Sequence, residues 1–262
     1  MFHSVTINGK NSWEDYHMVP VDGIYLPPPP EQKITTIDLK TGDGVVDVST
    51  ILTGYPVFNN RSGSLKYYLL EPSDVAQYAE IGGSQSLGDL PSAYEVYSQI
   101  MADIHGQSGE MYFEDDPLWA YKGRFSVNAF EFGIRRTITI NYNVQPYKIA
   151  RNPYTSREFV GLGASSWDYI DLTPVQLGYM PINPKVTITG NFASGDSVKV
   201  QIMYPPYGGS SPKVITKTVG AAVTNKQWAD FIAYRNARFA FQASSDAGKN
   251  FKAVFSFNQG RF

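Results

Sequence analysis

The sequence predicts a mainly β protein of two domains, with one helix packed on the strands of each. Aromatic residues make up 14% of the 262 residues and charged residues only 18%, a bias typical of half-buried pleated strands rather than helices. The 23 Gly and 17 Pro residues supply the frequent turns that short strands need. The length suits two ordinary domains, each able to bury a core without disulfides or metals.

The charge distribution supports the division into two domains. The net charge is -2, but residues 1–148 hold 10 Lys and Arg against 18 Asp and Glu, whereas residues 149–262 hold 12 against 6. The stretch from Pro146 to Glu158 contains Asn152-Pro153 and has no periodicity, which is typical of a boundary. We therefore predict an acidic domain over 1–148 and a basic domain over 149–262, with different neighbours.

The first 33 residues combine short apolar runs with prolines. Pro27–Pro30 lack backbone N–H groups and favour the extended polyproline II conformation. The pattern predicts an N-terminal extended arm over Met1–Lys33, with the proline run as a stiff connector. The alternative is a docking motif for an aromatic groove of a partner.

From Ile34 to Leu70, β-prone runs alternate with turn residues, which predicts short strands. The dipeptides Asp43-Gly44 and Ser62-Gly63 predict hairpin turns. Three carboxylates in this stretch lack the spacing of an EF-hand calcium loop and are interpreted as solvated turn residues: Asp38, Asp43 and Asp47.

A helix is predicted over Ser92–His105. Ser92 and Glu95 form a capping box, and Gly106 follows the last turn as a C-cap glycine would. An apolar stripe at helical spacing predicts that this helix covers a sheet: Val96, Ile100 and Ile104. We interpret His105 as a partner of the helix dipole.

Two long strands are predicted after this helix, separated by a turn at Gly133. In the second strand the alternation of apolar and polar residues predicts one buried face: Ile138, Ile140, Tyr142 and Val144. The acidic run Glu114–Asp116 precedes Pro117 and could suggest acid–base catalysis. Consecutive carboxylates of a strand point to opposite faces, however, so a paired catalytic site is not predicted there.

The second domain reads as a β-sandwich. Six strand-like runs are separated by Gly, Pro and Ser turns: WDYID, KVTITGNF, SVKVQIMY, KVITKTV, RFAFQAS and FKAVFSFN. A short helix is predicted over Asn225–Arg235, with Thr224 and Gln227 as its capping box. This helix would bury Trp228, Phe231 and Ile232. The segment Gly161–Ser165 is Gly-rich but lacks a P-loop Lys or Rossmann spacing.

The residue types exclude most catalytic chemistry. The chain has no Cys, which removes thiolate nucleophiles, iron–sulfur clusters and cysteine zinc sites, and its histidines are only His3, His17 and His105. It has no GxSxG, HExxH or P-loop motif. We therefore predict no enzyme activity, no catalytic residue, no metal and no cofactor.

Targeting and partner signals are equally sparse. No basic segment followed by an apolar run opens the chain, and no stretch approaches 18 apolar residues, so we expect a soluble protein made in the cytoplasm with no membrane partner. The isoelectric point of about 5.9 disfavours nucleic-acid recognition by the whole chain.

Three aromatic residues of the second domain are candidates for carbohydrate binding. Trp167, Tyr204 and Tyr207 could form a stacking platform for a sugar ring. The alternative is that Trp167 packs in the core and that the Tyr204–Tyr207 segment is a rigid hairpin end.

Parts of the first half resemble the distal tail protein family of long-tailed bacteriophages. Three segments carry the resemblance: IDLKTGDGVVDVSTILTGYPVFNNRSGSLKYYLLE (37–71), YEVYSQIMADIHG (94–106) and EDDPLWAYKGRFSVNAFEF (114–132). In that family a helix ending in an HG turn leads to a strand, an acidic turn and a strand with the pattern found here as Tyr121-Lys122-Gly123-Arg124. The resemblance covers about residues 1–148 and consists of ordered elements rather than a catalytic signature.

The resemblance implies a structural role in the virion. Six copies would form a ring at the distal end of the tail, joining the tail tube protein to the tail-tip hub protein and, in some phages, holding a receptor-binding protein. It implies a β-sandwich or barrel-like ring-forming domain over 1–148 and a galectin-like or carbohydrate-module-like sandwich over 149–262, with no catalytic residues. DNA would pass through an open channel, whose wall we expect to be acidic and to repel the DNA backbone.

Two alternatives remain open at this point. A monomeric adhesin would bind a host sugar through its second domain. A tail tube subunit would share the ring but stack into polymers.

Overall fold

A computed structural model describes residues 4–21, 26–38, 44–50, 55–70, 91–129, 131, 136–156, 159–160, 166–171, 179–204, 213–234, 237–243 and 250–262. These residues contain twenty strands and one helix, which confirms the mainly β prediction. The chain divides into two compact units, Met1–Lys148 with Phe262, and Ile149–Arg261.

The first unit is built on one antiparallel sheet and a separate hairpin. Its strands are β1 (Val5–Ile7), β2 (Lys10–Asn11), β3 (Met18–Pro20), β4 (Thr36–Asp38), β5 (Val45–Asp47), β6 (Arg61–Leu69), β7 (Ser108–Phe113), β8 (Trp119–Val127) and β9 (Thr137–Val144). The sheet order is β2-β1-β7-β8-β9-β6-β3, and β4 and β5 pair with each other in a separate two-stranded sheet. The short strand β10 (Lys148–Ala150) pairs with β20 (Gly260–Arg261).

The predicted N-terminal arm is wrong for its first half. Residues 5–20 supply three strands of the sheet, because their short apolar runs pack into the core: Val5, Ile7, Met18 and Val19 are buried. Tyr16 between them donates its hydroxyl proton to Asp103 Oδ2 at 2.8 Å. Burial and this bond raise the pKa of Tyr16. Pro27–Pro30 belong to no strand or helix.

Helix α1 (Ala93–Asp103) confirms the predicted first helix. Ser92 and Glu95 form the capping box, and Gly106 has the left-handed φ of +72° expected after a helix end. The predicted stripe is buried in one core with the sheet: Val96, Ile100 and Ile104. His105 differs from its dipole interpretation, because its Nδ1 accepts a hydrogen bond from the Val127 N–H at 3.0 Å and so ties the helix end to β8.

The alternation predicted for β9 is confirmed, since its four apolar residues are buried and their polar neighbours lie at or near the surface. The predicted turn at Ser62-Gly63 is wrong, because both residues lie inside β6. Gly63 pairs with Tyr142, and a Cβ on Gly63 would lie 2.3 Å from the Tyr142 hydroxyl oxygen. The glycine therefore makes room for a cross-strand aromatic ring rather than forming a turn.

The second unit is a two-sheet sandwich. Its strands are β11 (Tyr154–Thr155), β12 (Phe159–Val160), β13 (Asp168–Asp171), β14 (Lys185–Thr189), β15 (Val198–Tyr204), β16 (Lys213–Val219), β17 (Val223–Lys226), β18 (Arg238–Ala243) and β19 (Lys252–Phe257). The sheets run β11-β19-β14-β17, with β12 also on β19, and β13-β18-β15-β16. Stacked rings of Phe239 and Phe255, 4.6 Å apart, join the two sheets in one core. The six predicted strand runs are all confirmed.

The predicted second helix is wrong. Val223–Lys226 form an edge strand paired with β14, and Asn225 adopts a left-handed φ of +51° that a helix excludes. Ala233 then forms a bridge with Ile182. Phe231 is buried as predicted, but Gln227 donates to the Asn183 carbonyl at 2.8 Å instead of capping a helix.

Candidate functional site

The acidic turn of the first unit is structural. Asp116 Oδ2 accepts from Lys148 Nζ at 2.5 Å, and Glu114 Oε2 accepts from the Ser4 hydroxyl at 2.9 Å. These partners hold the turn between β7 and β8. The two carboxylates thus serve the packing of the strand ends rather than a shared reaction centre.

Metal-binding clusters do not occur among the described residues. His17 packs edge-on against Trp13, with ring centroids 6.2 Å apart, and His105 accepts from β8 as described above. His3 lies outside the described residues. Asp47 accepts bonds from the hydroxyl and backbone N–H of Ser49, which lower the pKa of Asp47. Asp38 and Asp47 are exposed as predicted, but they are strand residues of β4 and β5 rather than turn residues, and Asp43 lies outside the described residues.

The three carbohydrate candidates do not form one described platform. Trp167 is half-buried just before β13, and Tyr207 lies outside the described residues. Tyr204 ends β15, half-buried against the core, and its hydroxyl donates to the Ile232 carbonyl. Lys213 Nζ lies 6.0 Å from the centre of the Tyr204 ring.

Strand register separates Trp167 from Tyr204. Asp168 pairs with Phe241 on one side of β18, and Met203 pairs with Arg238 on the other side. Trp167 and Tyr204 therefore flank opposite ends of β18, five positions or about 17 Å apart at ~3.4 Å per residue. One sugar ring cannot stack on both aromatic rings, so carbohydrate binding by either alone stays a prediction.

Among the described residues of the first unit, the hairpin of β4 and β5 carries a group of exposed apolar side chains. All six strand residues are exposed, and Ile37 pairs with Val46 across the hairpin at 56% and 42% exposure. Ile34 and Val45 add exposures of 66% and 58%. A two-stranded hairpin is marginally stable in water, and apolar residues grouped on one are typical of an interaction surface.

A polar groove of about 640 Å³ lies on the outer face of the first unit's sheet, over β7, β8 and β9. We call it the sheet groove. Lys122 Nζ contacts Glu110 Oε1 at 3.2 Å, and Asn60 Nδ2 donates to Asn143 Oδ1 at 2.8 Å across it. Four of its polar side chains are therefore already paired with each other, whereas Arg124 and Gln145 line it without such a pair among the described residues.

A second groove, of about 480 Å³, lies in the second unit where β14 begins and β17 and β19 end. We call it the amide groove, because four amide side chains line it: Asn183, Asn225, Gln227 and Asn258. Lys185, Met180 and Pro181 also line it. Sequence reasoning missed this groove because its residues are spread over more than 70 positions of the chain and share no motif.

No helix among the described residues is long and apolar enough to cross a membrane. No family model matches the sequence, and no curated protein matches it significantly.

A solved structure has the same fold over nearly the whole chain. The crystal structure of the Dit protein of phage SPP1 matches with a TM-score of 0.56 at 11% identity, over 99% of this chain and 99% of that one. That protein is described as a paradigm of the hub adsorption apparatus of phages that infect Gram-positive bacteria. The likeness supports the resemblance to distal tail proteins at the level of the fold.

Proposed function

We propose that the chain is a distal tail protein, a structural component of a long-tailed phage virion. It would form a hexameric ring at the distal end of the tail, connecting the tail tube protein to the tail-tip hub protein, with an open channel for DNA. The observation that carries the proposal is the match to the SPP1 Dit fold over 99% of both chains. A likeness that spans the whole chain relates both units to that protein, not a single common module.

We infer that the β4–β5 hairpin is the element that joins neighbouring copies. Ile37 and Val46 form an exposed apolar pair that a neighbouring subunit would bury. In a ring of identical subunits every copy has the same neighbour, so the same pair would be buried in every copy. Full burial contributes about 1.5–3 kcal/mol for each such side chain. Six repeated contacts of this kind would make closed rings more stable than open chains.

The test is the solution mass by light scattering over a series of concentrations, followed by negative-stain images. We expect a closed hexamer with a central hole. Ile37→Lys should shift the protein to monomers, because a Lys ammonium would be desolvated at the joint. Thr36→Lys is the matched control on the same strand, where the new charge faces Asp47 across the hairpin, and should keep the ring.

The two parts of the proposal fail separately. Wild-type protein that stays monomeric at every concentration would contradict the ring and favour a monomeric adhesin. A ring that Ile37→Lys leaves intact would keep the ring but refute the hairpin as its joint. Stacked tubes in the images would favour a tail tube subunit.

A further inference from the structure

Several polar side chains that line the amide groove have no hydrogen-bond partner among the described residues. Among the described residues, no hydrogen bond or ion pair involves the side chains of Lys185, Asn225 or Asn258. In the sheet groove an ion pair and an amide–amide bond involve four of the lining side chains. Uncommitted donors and acceptors gathered in one concave place favour a ligand.

Hydrogen bonds within the second unit hold several residues of the amide groove in place. The Asn225 N–H donates to Thr187 Oγ1 at 3.1 Å, which fixes the left-handed residue on the strand edge. Gln227 Nε2 donates to the Asn183 carbonyl at 2.8 Å, so its Oε1 remains an acceptor. Asn183 Nδ2 donates to the Trp228 carbonyl at 3.1 Å, and its Oδ1 is buried without a partner.

The residues that line the amide groove indicate the chemical class of its ligand. Amide groups offer both donors and acceptors, which suits hydroxyl groups, since a hydroxyl also does both. Met180 and Pro181 supply apolar surface beside them, which suits the C–H face of a sugar ring. Among the described lining residues, Lys185 is the only ionisable one, and its positive charge attracts a negative substituent and repels a positive one.

We propose that the amide groove binds a saccharide. Its hydroxyl groups bond to Asn225, Gln227 and Asn258, and an anionic substituent faces Lys185. This site is separate from Trp167 and Tyr204, and it does not depend on the proposed ring.

Methionine methyl groups give a direct readout in the full-length protein. The chain has six Met residues, of which Met180 lines the groove, while Met203 lies in the other sheet of the same unit. With methyl-labelled methionine, an uncharged oligosaccharide, a carboxylate- or phosphate-substituted oligosaccharide and an amino-sugar oligosaccharide are titrated in turn. We expect a saturable shift of the Met180 signal with Met203 unchanged, and affinity in the order anionic, neutral, cationic.

Two variants test the assigned contacts. Asn225→Gly keeps the left-handed backbone and removes the amide, and it should weaken binding at least tenfold. Lys185→Ala should abolish the preference for the anionic over the neutral saccharide. Lys199→Ala, an exposed lysine on β15 in the other sheet, is the control and should change neither.

Three results would overturn the proposal. The Met180 signal could stay still with all three probes at saturating concentrations. The shift could persist with unchanged affinity in Asn225→Gly and Lys185→Ala. The cationic saccharide could bind most tightly.

Discussion

At the scale of single residues, the close approach of β9 explains why the Tyr121–Arg124 pattern has a glycine at position 123. A Cβ on Gly123 would lie 2.2 Å from the Asn143 carbonyl oxygen and 2.6 Å from the Val144 Cα, both backbone atoms of β9. We predict that Gly123→Ala lowers the free energy of unfolding by about 3 kcal/mol, because the strands would have to separate. Gly220→Ala, whose nearest contact would be an ordinary 3.6 Å, is the control in the same urea titration and should change little. Equal losses in both variants would contradict this explanation.

Side-chain surroundings were the least predictable part at this scale. Trp167 and Tyr204 read as partners in the sequence because both are aromatic and lie in one domain. Which end of β18 each one flanks depends on strand register, and register is set by the pairing of distant residues. The sequence could not predict, for the same reason, that the side-chain amide of Asn225 has no hydrogen-bond partner among the described residues.

At the scale of elements, α1 depends on its capping box. Bonds from the backbone N–H and the hydroxyl of Ser92 lower the pKa of Glu95. The stabilisation from Glu95 is therefore complete above its ordinary value of 4.5 and is lost as pH falls through the lowered pKa. We predict that Glu95→Gln removes this part of the acid sensitivity in urea titrations at pH 7 and pH 3. A variant that keeps the full acid sensitivity would show that Glu95 does not stabilise α1.

The cap itself has a matched pair of serines on the same helix. Ser92→Ala should cost about 1 kcal/mol in the free energy of unfolding, since it removes the acceptor for the Glu95 N–H. Ser98→Ala removes only a bond to the Tyr94 carbonyl, four residues back, and should be close to neutral. The urea midpoints of both variants at pH 7 decide this, and a larger loss for Ser98→Ala would be contrary to it.

Elements were predictable where local and tertiary preferences agree. The capping box, stripe and C-terminal glycine of α1 all indicate the same helix, and the structure has it. Around Asn225, a similar capping pattern and three apolar residues indicated a helix that does not form. There the edge of β14 offers backbone partners to Val223–Lys226, and this tertiary pairing overrides a weak local preference.

At the scale of the whole molecule, the two units have separate cores. We predict two transitions in differential scanning calorimetry. Phe255→Ala should lower the temperature of only one transition, because Phe255 is fully buried in the second core. The free energy of unfolding of that unit should fall by about 3–5 kcal/mol. Ile100→Ala should lower the temperature of only the other transition. A single transition moved equally by both variants would contradict separate unfolding.

Arg61 has a mechanical consequence for the first unit. It is 4% exposed, its Nε donates to the Pro146 carbonyl at 2.7 Å and its Nη1 to the Pro27 carbonyl at 3.4 Å, and its guanidinium lies 5.4 Å from the centre of the Tyr121 ring. One side chain in β6 thus ties the start of the proline run to the segment that follows β9. A force applied to that run is therefore transmitted to β6, the strand next to the edge strand β3, and Arg61 makes the two segments bear load together.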